Sequence, residues 1–70
     1  SSERAARAND AARRIAATLQ RLPKRTVYAF KLRFIDGLTY REIGDELDLS
    51  LSRARALAED AMIEISFAIA

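Results

Sequence analysis

Pro23, Gly37 and Gly44 are the only proline and glycines in seventy residues, and that scarcity of helix breakers decides most of the architecture. Proline lacks an N–H and clashes inside a helix, and glycine costs about 1 kcal/mol there relative to alanine. Between these points the chain is rich in Ala, Leu, Arg and Glu, all strong helix formers. An all-α chain with short connections is therefore expected, as a single domain over residues 1–70. Half of the residues are hydrophobic, but much of that share is alanine, which fills little volume. The core is small and the margin of stability thin.

Apolar spacing predicts where the helices lie. Ala5, Ala8, Ala12, Ile15, Leu19 and Leu22 recur every three or four residues and read as one helical stripe. Arg7, Arg14 and Arg21 run beside it with a period of seven. They are either a solvated flank or a surface for nucleic acid or an acidic partner. Pro23 suits the first position of a second helix. That helix carries two stripes, Val27, Phe30 and Phe34, and Tyr28, Leu32 and Ile35, and so is predicted to be central. Asp36-Gly37 ends it, with glycine taking the left-handed conformation.

Thr39-Tyr40-Arg41-Glu42 fits a capping box for a short third helix, with Tyr40, Ile43, Gly44 and Leu47 inward and Asp45 and Glu46 outward. Asp48-Leu49-Ser50 is a three-residue break. Ser50 is a good cap for a last helix with Ala54, Leu57, Ala58, Ala61 and Ile65 inside. The final ten residues carry two patterns. Ile63, Ile65, Phe67 and Ile69 alternate as in a strand, whereas Ala61, Ile65 and Ala68 continue the helix stripe. Helix is preferred, because a lone strand has nothing to pair with. The surplus apolar side chains then either cover the short core or contact a partner.

Absent residues exclude whole classes of chemistry. With no cysteine or histidine, the chain has no disulfide, no Cys/His zinc site and no histidine acid–base pair. The carboxylates are dispersed, and neither a nucleophile–base pair nor a phosphate loop is present, so an enzyme, a cofactor and a small-molecule substrate are not expected. No run approaches the roughly 18 apolar residues of a membrane span. No signal-peptide pattern opens the chain, and an intracellular setting is expected.

The net charge of +2 hides an asymmetry. Residues 1–35 hold nine basic side chains against Glu3 and Asp10, while residues 36–70 hold Arg41, Arg53 and Arg55 against eight acids. Phosphate neutralisation supplies most nucleic-acid affinity, so a reader of DNA needs concentrated positive charge. The first half meets that requirement and the second does not.

Residues 39–58 nonetheless have the layout of a helix-turn-helix: a capped short helix, a turn of about three residues and a second capped helix. Gly44 permits close approach at the crossing, Leu49 plugs the turn into the core, and Ser50 starts a helix whose first turns project outward. Short helical hairpins used for plain packing share this pattern.

Leu22-Pro23-x-Arg25, the junction Asp36-Gly37-Leu38-Thr39-Tyr40-x-Glu42-Ile43 and Leu47-x-Leu49-Ser50 together extend the match over roughly residues 20–62 without gaps. In this the chain resembles region 4 of the sigma-70 family, particularly the extracytoplasmic-function sigma factors of the iron-starvation subgroup. The resemblance implies a four-helix domain that recognises the promoter minus-35 element in transcription initiation and docks on the beta flap of bacterial RNA polymerase. Anti-sigma factors commonly sequester such domains, and isolated ones bind DNA poorly without polymerase. A bacterial, cytoplasmic protein follows from the same likeness.

By the resemblance, Arg33 and Arg41 contact phosphate, and Leu51, Ser52, Arg53, Arg55 and Ala56 face bases or backbone. Four positions depart from the pattern. Asp48 stands where glycine is usual, Ala54 replaces a larger branched residue, Leu57 falls where relatives are often basic, and Glu59-Asp60 follow on the recognition helix. These departures lower the expected DNA affinity. They keep a sigma-like interaction module, binding an anti-sigma factor instead of DNA, as the alternative. A helix-turn-helix of the two-component-response type shares the Glu-Ile and Leu-Ser landmarks but not the Leu-Pro entry.

Overall fold

Four helices follow one another with connections as short as the sparse breakers require: α1 (Ser2–Arg21), α2 (Lys24–Phe34), α3 (Tyr40–Leu47) and α4 (Leu51–Ile69). The structure, a computed structural model, describes residues 2–70, and side chains from residue 7 onward. Ala5, the first position of the expected α1 stripe, therefore lies outside the described side chains.

The α1 stripe is rotated from its expected position. Ile15, Leu19 and Leu22 of the expected stripe are half-buried, but Ala8 and Ala12 are exposed, and Ala11 and Thr18 complete the inward face instead. Thr18 is only 2% exposed. Its hydroxyl donates to the Arg14 carbonyl at 2.8 Å, so its polar atom is satisfied within the helix and the methyl can pack inward. An apolar-spacing rule passes over such a residue.

In α2 the buried positions are Thr26, Ala29 and Leu32, while Tyr28, Phe34 and Ile35 stay largely in solvent. Pro23 is the cap preceding the helix, one position earlier than expected, at φ −56° and ψ 145°. At the far end Gly37 adopts φ 76°, and the Leu38 N–H donates to the Leu32 carbonyl at 2.9 Å.

The central helix is α4, not α2: α4 packs on α1, α2 and α3. The reason is side-chain size. Ala54, Ala58 and Ala61 are fully buried, and these small residues let three neighbours approach one axis. The main cluster joins Ala29, Leu32, Ile43, Ala54 and Ala58, with Leu38, Tyr40, Leu47 and Leu57 packed against it. Ile43 is the largest fully buried hydrophobic side chain among the described residues.

The last segment is helical to Ile69. Residues two apart in a helix point in widely different directions, so Ile65 is buried while Ile63, Phe67 and Ile69 are exposed. Among the described residues, no helix is long and apolar enough to cross a membrane.

Candidate nucleic-acid interface

The interface is assembled around α3, which side chains hold at both ends. At its start Thr39 and Glu42 form the expected capping box. The Glu42 N–H donates to Thr39 Oγ1 at 3.1 Å, and the Thr39 N–H donates to the Glu42 carboxylate at 2.9 Å. That backbone bond, with a further contribution from the Thr39 side chain, holds the Glu42 carboxyl below its ordinary range. Arg33, reaching from α2, donates to the Leu38 carbonyl at 3.0 Å, and its guanidinium lies 4.6 Å from the centre of the Tyr40 ring. At the other end Arg25, also from α2, donates to the Leu47 carbonyl. Two arginines thus fasten α3 to α2.

The turn depends on two unusual positions. Asp48 takes the left-handed conformation at φ 58°, which aspartate tolerates better than most residues. The Leu49 N–H then donates to the Gly44 carbonyl at 2.7 Å. A Cβ on Gly44 would sit 2.5 Å from the Leu49 carbonyl oxygen and 3.3 Å from that of Ser50. Gly44 therefore makes room for the backbone of the turn, a narrower role than easing a helix crossing. Leu49 is half-buried and Ser50 caps α4, its Oγ accepting from the Arg53 N–H at 3.1 Å.

Beyond the cap, α4 presents the expected residues on two sides. At about 100° per residue, Leu51, Ser52, Arg55 and Ala56 share one outward sector; all are exposed except Ala56, which is half-buried. Arg53 lies roughly 160° around the axis from Arg55. It opens onto a groove of about 420 Å³ that Lys24, Arg25, Leu49, Leu57 and Asp60 also line. Arg41 is exposed in the first turn of α3.

Arg55 donates through Nε to the Glu59 carboxylate one turn on. This bond, reinforced by the opposite charge, makes the guanidinium hold its proton still more tightly. Arg33 is partly withdrawn from solvent by its Leu38 and Tyr40 contacts.

Sequence reasoning did not bring Lys24, Arg25 or Glu59 into the candidate site, although Arg25 stands in the Leu-Pro entry and Glu59 among the departures from the family pattern. Lys24 and Arg25 are more than twenty-five residues from Arg53 in the chain, and no local spacing rule joins them. The Arg55–Glu59 pair was findable, since positions four apart on a helix are neighbours.

The family model described as "Sigma-70, region 4" matches residues 18–65, spanning the end of α1, all of α2 and α3 and most of α4. Comparisons with curated proteins and with solved structures give no match. The matched span takes in the Leu-Pro entry, both capped helices and the turn between them. The chain therefore belongs to the sigma-70 region 4 family, a DNA-binding regulatory family of transcription initiation and not an enzyme family.

Proposed function

We propose that this domain reads the promoter minus-35 element by laying the start of α4 in the major groove, while docked on the beta flap of RNA polymerase. Within the family we place it among the extracytoplasmic-function sigma factors, near the iron-starvation subgroup. The Leu22-Pro23-x-Arg25 entry and the Gly37-Leu38-Thr39-Tyr40 junction support that placement, and a bacterial cytoplasmic setting follows from it.

The observation that carries the DNA reading is the groove shared by Lys24, Arg25 and Arg53. The second half of the chain is acidic, but folding brings two cations of the first half beside the recognition helix. Three cations against the one carboxylate of Asp60 leave the groove positive where phosphate would pass. In this arrangement Arg41, Arg53, Lys24 and Arg25 meet the backbone, with Arg33 bracing the junction and offering its remaining donors. Leu51, Ser52, Arg55 and Ala56 face the bases. Only Arg55 among these four can form paired hydrogen bonds to guanine.

Binding to minus-35-type duplexes, measured alone and with polymerase core across a salt series, tests the reading. Affinity should fall steeply with salt. Arg41→Ala and Arg53→Ala should each weaken binding evenly across sequences and reduce the salt slope by about one. Binding that is salt-insensitive or undetectable at micromolar concentration, with tight capture by an anti-sigma factor, would show an interaction module in place of a promoter reader.

A further inference from the structure

We propose that Glu59 is a positioning residue for Arg55, gripping its Nε so that the terminal Nη1/Nη2 fork faces outward to two acceptors on one guanine. The inference rests on the DNA reading above and assigns a role to an acid that otherwise opposes that reading.

The argument starts from placement. Glu59 follows Arg55 by four residues on α4, in the same sector as Ser52 and Ala56. Arg55 and Glu59 side chains are 63% and 47% exposed, so the pair stands at the surface and is not a buried structural bridge. A free arginine at that position would sample many rotamers, all but a few of which must be given up on binding. A carboxylate on Nε removes much of that freedom beforehand.

The choice of nitrogen matters as well. A guanidinium offers five N–H donors in a rigid plane. The structure engages Nε with Glu59 Oε1, and the two terminal nitrogens form a separate edge of the same plane. Guanine presents N7 and O6 as adjacent acceptors in the major groove, and an arginine fork matches them. A phosphate also takes a fork, but it carries no sequence information. Selectivity for one base pair therefore separates the two.

The electrostatic consequence is a trade. A carboxylate facing DNA repels phosphate and lowers affinity on every sequence. A fixed Arg55 raises the preference for one base pair. Glu59 should thus weaken binding in general and sharpen it in particular.

The test uses the chain, alone and with polymerase core, on a panel of duplexes differing one base pair at a time, at about 50 mM salt, where phosphate contacts are strong. The wild-type chain should prefer one sequence, and Arg55→Ala should erase the preference at one guanine position. Glu59→Gln should lower the preference at that same position by about two- to fivefold, with affinity for unrelated duplexes unchanged or higher. Arg55→Lys, which keeps the charge but lacks the fork, should lose the preference even with Glu59 present. In the free chain, the Arg55 Nε–H resonance should shift on Glu59→Gln while helicity and melting stay within error.

No sequence preference in the wild-type chain even with polymerase core present overturns the promoter reading and this inference together. Preference intact in Glu59→Gln overturns this inference alone; an Arg55→Ala chain weakened evenly on all duplexes overturns it together with the base-reading role of Arg55.

Discussion

Gly44 and Asp48 each fix the turn of this domain through backbone geometry. Gly44 has backbone oxygen where a side chain would start, 2.5 Å away, and a carbonyl in a bonded turn cannot swing aside as a flexible side chain can. Gly44→Ala should therefore destabilise the chain by about 1–3 kcal/mol in urea unfolding, although alanine is the better helix former. Asp48 shows the reverse case. At φ 58° it carries a left-handed penalty that glycine lacks, so Asp48→Gly should stabilise by about 0.5–1 kcal/mol. Both positions were legible in the sequence, Gly44 as a close approach and Asp48 as a departure from the family's glycine. What the sequence did not disclose is the neighbour that makes Gly44 necessary, which is the oxygen of Leu49.

At the scale of elements, the capping residues located α3 and α4 because hydroxyl side chains satisfy amide donors only at a helix start. Ser50, the three-residue break and the Thr39–Glu42 box all lie where the sequence placed them. Thr39→Ala should cost about 0.5–2 kcal/mol. The box is also sensitive to acid. Glu42 titrates below its usual range because it accepts the Thr39 N–H. Its contribution is therefore complete above the ordinary glutamate value of about 4.3 and is lost as pH falls through the lower folded value. The Thr39 amide resonance, followed from about pH 5 to pH 2, should move in that window in wild type. It should move little in Glu42→Gln.

The same scale shows where apolar spacing gave out. The face of α1 turned from Ala8 and Ala12 to Ala11 and Thr18 because a self-satisfied threonine packs inward and a small alanine is tolerated on either side. The role of α2 was overstated for a related reason. Its large aromatic residues suggest a central helix, yet in α2 it is Ala29 that is fully buried.

For the whole molecule the decisive quantity is the slimness of α4 along its buried side. Ala58 is fully buried within the main cluster, and Ala58→Leu should force helices apart, costing about 1–3 kcal/mol by thermal or urea unfolding. Ile63→Ser, on the exposed side of the same helix, should change stability by no more than about 0.5 kcal/mol. The candidate site is likewise a property of the whole. Arg33, Arg41 and the residues of α4 are named by the family resemblance, but the meeting of Lys24 and Arg25 with Arg53 is produced by tertiary packing and could not be counted from charge along the chain.

The central helix is also the last to be made. As the polypeptide leaves the ribosome, the inward faces of α1, α2 and α3 emerge before the alanine row that covers them all. α2 and α3 touch each other, but α1, α2 and α3 all pack on α4, so closing the core waits for the segment around Ala54–Ile65 to clear the exit tunnel. Vectorial synthesis thus delivers three adhesive helices in sequence and withholds the fourth. A nascent chain stalled before residue 54 should bind general chaperones, and one released past Ile65 should not.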